Sequence, residues 1–399
     1  MYPVVFRIPL LGRDVPGYGL MLMIGFLVAI VWAARRAMRS GANPDVILNC
    51  GFIALIGGVV GARAMHVVHY WSEFAGKRSI LELIWAIVDV TKGGLEYYGG
   101  FLLASISIIL WLKFYERVSL RWYCDIMAPS AAIGLAFGRL GCFLNGCCYG
   151  ATCEQPWALQ FPYASPAHIE QWQKNDPHAA LPAELIALHS AGVALPIMRE
   201  SIAARDEEIA GAQQKEDSLA AELKELRSKA AAATGDQKAE LDRQIRQKER
   251  ALAQAEATFG DIREQMRRFN MSAAEIRALA KGFGSGHVHP TQLYSFVMAT
   301  IVALMLSALY WRRSRDGVVT CTFFFFEPLS RIVLELIRAD NPLDTFGLTI
   351  SQFLALGMMT VATLVYFVLR GSAPRSPTAT LWIPPEEPDA TPRKPSVAR

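Results

Sequence analysis

Residues 18–34, YGLMLMIGFLVAIVWAA, form a run of 17 positions without a charged side chain. Such a run approaches the length that a helix needs to cross the hydrocarbon core of a bilayer. Six further apolar runs of comparable length follow, at 46–70, 93–113, 122–144, 290–311, 318–336 and 348–369. The sequence therefore predicts an all-α, polytopic membrane protein with about seven transmembrane helices.

The composition of the 399-residue chain agrees with this fold class. Apolar residues make up 52% of it, charged residues only 19%, and the mean hydropathy is +0.24. Soluble proteins carry roughly a quarter charged residues. These values exclude a single soluble domain, a disordered chain and a small disulfide-stapled protein. The net charge of +4 is too small to indicate a nucleic-acid-binding protein.

One segment departs from the apolar pattern. Residues 199–281 carry 16 basic and 16 acidic side chains and are rich in good helix formers. Thr234-Gly235-Asp236 can end one helix and begin the next. We expect an antiparallel helical hairpin outside the membrane, with arms on the order of 50 Å. Its thin apolar stripes leave two interpretations, a solvated spacer or a surface completed by a periplasmic partner. The stripes are Ile202, Ile209, Leu219, Leu223, Leu226 and Leu241, Ile245, Leu252, Ile262, Met266.

Basic residues predict the orientation of the chain. They follow the first, third, fifth and seventh runs, and the positive-inside rule places such loops in the cytoplasm. The N-terminus is then outside and the C-terminus inside. The predicted organisation is helices 1–4 in 1–145, an extracytoplasmic head with the hairpin in 146–289, helices 5–7 in 290–370, and a disordered cytoplasmic tail in 371–399.

Ionisable residues inside apolar runs mark functional sites by default, because charge at membrane depth is costly. Arg331, Glu335 and Arg338 are spaced i, i+4 and i+7, which predicts one shared helical face. Arg63 and Arg139 lie in two other runs. Because guanidinium groups suit phosphate, these arginines indicate a bound anionic headgroup. Internal ion pairs that serve structure alone are the alternative.

Short motifs on successive runs resemble those of the prolipoprotein diacylglyceryl transferase family. The resemblance covers nearly all of residues 1–370 except the charged insert. The motifs are Tyr18-Gly19, Gly61-Ala62-Arg63, GGLEYYGG at 93–100, Gly138-Arg139-Leu140-Gly141 with Asn145-Gly146 and Gly150, PTQLY at 290–294, and Arg331 with Glu335.

The resemblance implies a reaction and a place in the cell. A member of this family moves the diacylglyceryl group of phosphatidylglycerol to the lipobox cysteine thiol of a prolipoprotein, in the bacterial inner membrane. It needs no cofactor and no metal. Arg139 and Arg331 would hold the phosphate, Glu335 would orient an arginine, and Tyr98 would hydrogen-bond the thiol or phosphate. The further candidates for substrate binding are Tyr18, Arg63, Asn145, Gly150, Gln292, Tyr294 and Arg338.

The chain departs from the family pattern at four positions. Tyr98 stands where the family usually has a histidine, and a phenol with a pKa near 10 is a poor base at neutral pH. Cys142 and Cys147 stand where asparagine and an acidic residue are usual, and Ser295 replaces a glutamate. Two other functions therefore stay open: a catalytically impaired relative that binds phospholipid and a periplasmic partner, or a transferase with a different acceptor.

Four of the seven cysteines cluster near the end of the fourth run. A disulfide, buried free thiols, or a zinc site with His287 and His289 are the alternatives, although the spacing lacks a short cysteine pair on each side. A thiol that carries the diacylglyceryl group is a fourth interpretation. The clustered residues are Cys142, Cys147, Cys148 and Cys153; the others, Cys50, Cys124 and Cys321, are expected to pack within helices.

Overall fold

The computed structural model describes residues 4–8, 13–75, 79–90, 94–188, 193–232, 236–338, 347–376 and 378–383. The α-helices in this part are α1 (Gly17–Ser40), α2 (Pro44–His69), α3 (Trp71–Ala75), α4 (Ile80–Val88), α5 (Tyr97–Leu110), α6 (Leu120–Asn145), α7 (Pro166–Gln173), α8 (Arg199–Ala203), α9 (Asp206–Ala232), α10 (Asp236–Ala257), α11 (Gly260–Phe269), α12 (Ala273–Ala280), α13 (Thr291–Arg312), α14 (Val318–Glu335) and α15 (Ile350–Gly371). Six short strands form three two-stranded antiparallel sheets: β1 (Val4–Ile8) with β2 (Arg13–Pro16), β3 (Leu159–Pro162) with β6 (Gly284–Val288), and β4 (Ile186–Leu188) with β5 (Ala194–Pro196).

Helices occupy all seven predicted positions. Within the described residues, five of them are long and apolar enough to cross a membrane: α1, α2, α6, α13 and α15. The third position holds the shorter α5, which continues as a π-helical turn at Trp111–Tyr115. The sixth holds α14, whose 18 residues include three charged ones. The all-α, polytopic membrane fold is thus confirmed.

The chain divides into two compact units. We call the described residues within 18–141, 293–336 and 341–399 the membrane unit. Those within 1–17, 142–292 and 337–340 form the insert unit. The residues 384–399 of the predicted tail lie outside the described part of the chain.

In the membrane unit, glycines let α2 and α5 touch along their backbones. A Cβ atom on Gly61 would lie 2.4 Å from the carbonyl oxygen of Gly99, and one on Gly99 equally close to that of Gly61. Gly100 faces Gly58 in the same way, at 2.7 Å. Small residues permit such close helix approach in membranes. The second glycine pair of the GGLEYYGG motif therefore serves helix packing.

Arg36 is buried in the membrane unit, with 3% of its surface exposed. Its guanidinium donates to the carbonyl of Ile126 (2.7 Å), the hydroxyl of Ser130 (3.1 Å) and the hydroxyl of Ser307 (3.2 Å). It also lies over the ring of Tyr310. A buried charge is tolerated when hydrogen bonds satisfy it, and here those bonds tie α1 to α6 and α13.

The predicted hairpin forms in the insert unit from α9 and α10. Arg227 bonds Glu249 at 2.7 Å, and Lys248 pairs with Glu222, so the arms run antiparallel. The arms have 27 and 22 residues, or about 40 and 33 Å. The expected 50 Å is wrong because the chain turns at Phe259, where φ is 53°, into the separate helices α11 and α12.

A single buried arginine clamps the base of the hairpin. Arg263, 3% exposed, pairs with Glu216 of α9 and donates to the side chain of Gln213 at 3.1 Å. Its other terminal nitrogen donates to the carbonyls of Ala255, at 3.0 Å, and of the two residues 256 and 258. One guanidinium therefore joins both arms to α11.

Candidate functional site

Two arginines of the membrane unit lie near the same carboxylate. Arg139 on α6 and Arg331 on α14 are half-buried, and Glu327 of α14 interacts electrostatically with both. Arg331 donates to the hydroxyl of Ser351 at 3.1 Å. Among the described residues, Arg139 has no hydrogen-bond partner. Because each guanidinium carries five N–H donors, most donors of this pair are available to a ligand.

Glu335, expected to orient an arginine, lies buried at the end of α14. Its carboxylate accepts a hydrogen bond from the hydroxyl of Thr349 at 3.3 Å. That hydroxyl in turn caps α15 by accepting from the backbone N–H of Gln352 at 3.2 Å. Glu335 thus joins the end of α14 to the start of α15, and its action on an arginine stays a prediction.

The predicted common face of Arg331, Glu335 and Arg338 is wrong at Arg338. The helix ends at Glu335, and Arg338 instead forms an antiparallel β-bridge with Gly150. The carbonyl of Ile337 accepts from the backbone N–H of Ala151 at 2.8 Å. This pairing with the segment around Gly150 replaces the next helical turn, and Arg338 belongs to the insert unit.

The guanidinium group of Arg63 donates hydrogen bonds to backbone carbonyls. Its Nε donates to the carbonyl of Ile87 at 2.8 Å, and its terminal nitrogens donate to those of Gly94, at 3.1 Å, and Ala86, at 2.7 Å. These bonds fasten the segment that leads into α5. The geometry favours a structural task for Arg63, and its binding of substrate stays a prediction.

The predicted tyrosines lie at the starts of helices. Tyr98 occupies the first turn of α5, and its side chain is outside the described part of the structure. Tyr18, 40% exposed, begins α1 beside Gly141, where a Cβ atom would lie 3.0 Å from its ring. Tyr294 lies half-buried in the first turn of α13. Tyr18 therefore contacts the C-terminal part of α6 at Gly141, two positions after Arg139 in the sequence.

In the insert unit, three predicted residues meet around the loop that follows α6. Gln292, 1% exposed, donates from its amide to the carbonyl of Cys147 at 2.8 Å. The side chain of Asn145 hydrogen-bonds the Cys147 thiol. A Cβ atom on Gly150 would lie 2.7 Å from that of His289, so no side chain fits there. These contacts hold the loop in one conformation.

The same loop brings three thiols together. The sulfur atoms of Cys142, Cys147 and Cys148 lie within 4.8 Å of one another, and they form the one group of potential metal ligands found among the described residues. None of the seven cysteines, all of which lie in the described part of the chain, forms a disulfide. Cys153 is buried and accepts from the backbone N–H of Gln155 at 3.4 Å.

Sequence reasoning missed Glu327. It precedes Arg331 by four residues, the spacing at which helical side chains meet, and it interrupts the apolar run FFFFEPL. That spacing was a usable signal. The approach of Arg139 to the same carboxylate was not, because it depends on how α6 packs against α14.

Comparisons with known proteins agree with the motifs. A family model described as prolipoprotein diacylglyceryl transferase matches residues 3–368. A phosphatidylglycerol–prolipoprotein diacylglyceryl transferase of Rhodopirellula baltica is 31% identical over 383 residues, which are 90% of this chain and 73% of that protein. Proteins of the same name from Clostridium tetani and Aliivibrio salmonicida are 32% and 35% identical over 42% and 41% of this chain, covering 65% and 56% of their own lengths.

Proposed function

The chain belongs to the prolipoprotein diacylglyceryl transferase family, and on this premise we propose that Arg139 and Arg331 hold the phosphate of phosphatidylglycerol during diacylglyceryl transfer. It is an enzyme of lipoprotein modification and a multi-pass membrane protein. The acceptor in this proposal is the lipobox cysteine thiol of a prolipoprotein.

The observation that carries the proposal is the charge of the Arg139–Arg331–Glu327 group. Two guanidinium groups beside a single carboxylate leave at least one net positive charge. A phosphodiester carries one negative charge. Arginine presents a planar fork of donors that matches phosphate oxygens, and most donors of this pair have no partner within the described residues.

The reaction explains why a phosphate needs such a group. A thiolate attacks the glycerol carbon, and the carbon–oxygen bond to the phosphate breaks, so that negative charge grows on the departing glycerol phosphate. Donors fixed in advance around that charge stabilise the transition state more than the bound lipid. Arg139 and Arg331 would supply these donors, and Tyr18 of the same unit would bind the glycerol headgroup. Asn145 and Gln292 of the insert unit stay predicted substrate-binding residues.

The proposed topology follows from the basic loops. We place the N-terminus outside the bacterial inner membrane and the C-terminus in the cytoplasm, which puts residues 146–289 on the extracytoplasmic side. Cysteine tags at Ser40 and in the hairpin, probed with a membrane-impermeant thiol reagent in intact cells, should label only the hairpin. Labelling at Ser40 alone would reverse this topology.

Complementation tests the function. The chain is expressed in a strain depleted of its own diacylglyceryl transferase, and precursor processing is followed on gels. We expect rescue and a lipidated precursor that requires phosphatidylglycerol. If the protein accumulates in the membrane without rescue and transfers no lipid to a lipobox peptide in vitro, it is a catalytically impaired relative or acts on another acceptor.

A further inference from the structure

Three thiols converge where α6 ends. The helix stops at Asn145, and Gly146 follows with φ of 79°. The backbone N–H groups of Gly146 and Cys147 both bond the carbonyl of Cys142, at 2.9 and 3.2 Å. Cys148 also adopts a positive φ, 59°. This tight reversal turns Cys147 and Cys148 back towards Cys142, so that the three side chains hydrogen-bond one another.

Two side chains hydrogen-bond backbone carbonyls of the loop that carries two of these thiols. The amide of Gln292 bonds the carbonyl of Cys147, and the hydroxyl of Thr291 bonds that of Cys148 at 2.6 Å. Both donors lie at the start of α13. Because a helix terminus holds the loop in place, the sulfur atoms are positioned before any ligand arrives.

The separation of the sulfurs suits a metal better than the alternatives. Two thiolates on one Zn²⁺ lie about 3.8 Å apart, given a zinc–sulfur distance of about 2.3 Å and tetrahedral angles. Sulfurs within 4.8 Å need to move by about 1 Å to reach that geometry. A disulfide would use only two of the three. Packing explains the buried Cys50, Cys153 and Cys321, but not three half-buried thiols that face one another.

Three ligands leave one position of a tetrahedral ion open. Among the described residues, neither His287 nor His289 belongs to the ligand group. Structural zinc sites are closed by four protein ligands, whereas three-ligand sites keep a position for water or substrate. The Asn145 side chain touches the Cys147 thiol, and Gln292 bonds the same residue, so a substrate bound by these two side chains reaches the cluster.

We propose that Cys142, Cys147 and Cys148 bind one Zn²⁺ ion whose fourth position takes the acceptor cysteine of the substrate. This inference rests on the proposed thiol-alkylating function. The family resemblance implies a reaction without a metal, whereas zinc at this cysteine cluster was one of the alternatives that the sequence left open; the convergence of the three sulfurs favours zinc. Metal coordination keeps a thiol deprotonated while leaving its sulfur nucleophilic, which is what Tyr98 is poorly suited to do as a base.

The step balances without an oxidant or reductant. The acceptor thiol binds the ion and releases its proton to solvent. Its sulfur then forms a bond to the glycerol carbon of phosphatidylglycerol, while the carbon–oxygen bond to phosphate breaks and the electron pair leaves with glycerol phosphate. The product is a neutral thioether, a weaker ligand than a thiolate, so it leaves the ion, which stays Zn²⁺ throughout.

Cobalt substitution tests the site in the full-length protein in lipid nanodiscs. Metal-free protein is titrated with Co²⁺ under reducing conditions, and sulfur-to-cobalt charge-transfer absorption is recorded. We expect one equivalent to bind and Zn²⁺ to displace it. Cys142→Ser, Cys147→Ser and Cys148→Ser should each weaken binding by more than about 100-fold, because a lost ligand outweighs the loss of a supporting contact. Cys153→Ser, the matched control in the same unit, should bind as the wild type does.

A cysteine peptide probes the fourth position. Adding a lipobox peptide should change the cobalt spectrum, and the same peptide with serine at the acceptor position should not. Absence of cobalt binding by the reduced wild-type protein, or an unchanged spectrum with the cysteine peptide, overturns the inference.

Transfer activity in the same samples separates this inference from the proposed function. Full activity in metal-free protein and in the three serine variants would refute the zinc site and leave the transferase intact. A peptide-responsive cobalt site in a protein that transfers no lipid would support the site and refute the function as proposed.

Discussion

Two regions of the membrane unit hold buried or half-buried arginines, and they treat the guanidinium in opposite ways. Around Arg36, a carbonyl and two hydroxyls accept hydrogen bonds and aromatic rings cover the cation. Around Arg139 and Arg331, the shared carboxylate of Glu327 balances only one of two charges, and within the described residues a single hydrogen bond to Ser351 is formed. In the first region, hydrogen bonds and aromatic rings within the protein already satisfy the guanidinium group of Arg36. The second leaves donors and positive charge without a partner among the described residues, and in the proposed function an anion takes them.

The largest effect is expected at the open site. Arg139→Ala removes donors aimed at the leaving phosphate and should lower the rate of diacylglyceryl transfer by roughly 10²–10³-fold. The rate is measured with purified protein, phosphatidylglycerol and a lipobox peptide. Arg139→Lys keeps the charge but not the planar fork of donors, so its transfer rate should lie between those of the wild type and Arg139→Ala. An Arg139→Ala enzyme with more than half the wild-type rate would remove the phosphate-holding role.

At the closed site the loss should be in stability. Arg36→Met leaves the carbonyl of Ile126 and two serine hydroxyls without their donor, which should cost about 2–4 kcal/mol of folding free energy. Thermal unfolding in detergent measures this loss. The transfer rate per folded molecule should stay within about two-fold of wild type, since the expected change is not in transition-state binding. If the transfer rate instead fell strongly while the unfolding temperature stayed unchanged, Arg36 would act in transfer and the two regions would not differ as described.

The Tyr98→Phe variant tests whether the Tyr98 hydroxyl contributes as much to catalysis as the two arginines do. If the open arginines and not the phenol carry the reaction, removing the hydroxyl should slow transfer by about ten-fold or less, the size of one lost hydrogen bond. The measurement is kcat on the lipobox peptide at saturating lipid. A loss as large as that of Arg139→Ala would instead make the Tyr98 hydroxyl central to catalysis.

The smallest change is expected for Glu327→Gln. The carboxylate competes with phosphate for the two arginines, so its removal should lower the KM for phosphatidylglycerol several-fold. At the same time kcat should fall, because the guanidinium groups lose a neighbouring negative charge that attracts them both. Steady-state kinetics with vesicles of graded phosphatidylglycerol content separate the two constants. A raised KM would mean that Glu327 binds the lipid headgroup itself.

The fold was predictable because its signals are local. Each membrane helix is encoded by its own apolar run, and the hairpin by charged helix formers around a glycine break at Gly235. Of the candidate site, only the residue types could be proposed from the sequence. Arg331 and Arg139 could be named, but their approach to Glu327 depends on helix packing.

Other features escaped because partners far apart in sequence decide them. The early end of α14 depends on the bond from Ala151 to Ile337, and Arg63 is satisfied by carbonyls 23 to 31 positions away. The convergence of Cys142 with Cys147 and Cys148 needs positive φ angles on both sides of Cys147, at Gly146 and at Cys148. The second of these residues is not a glycine.

The Arg263 clamp determines where a pull on the hairpin would be transmitted. The end of α9 at Ala232 lies about 24 Å along the helix from the Glu216 contact. Because the same guanidinium holds the last carbonyls of α10, the arms cannot separate at the base of the hairpin without extracting a buried cation. A load that reaches this base is therefore passed to α11 and to the strand β4, whose Ile186 carbonyl bonds Gln265 of that helix at 2.8 Å.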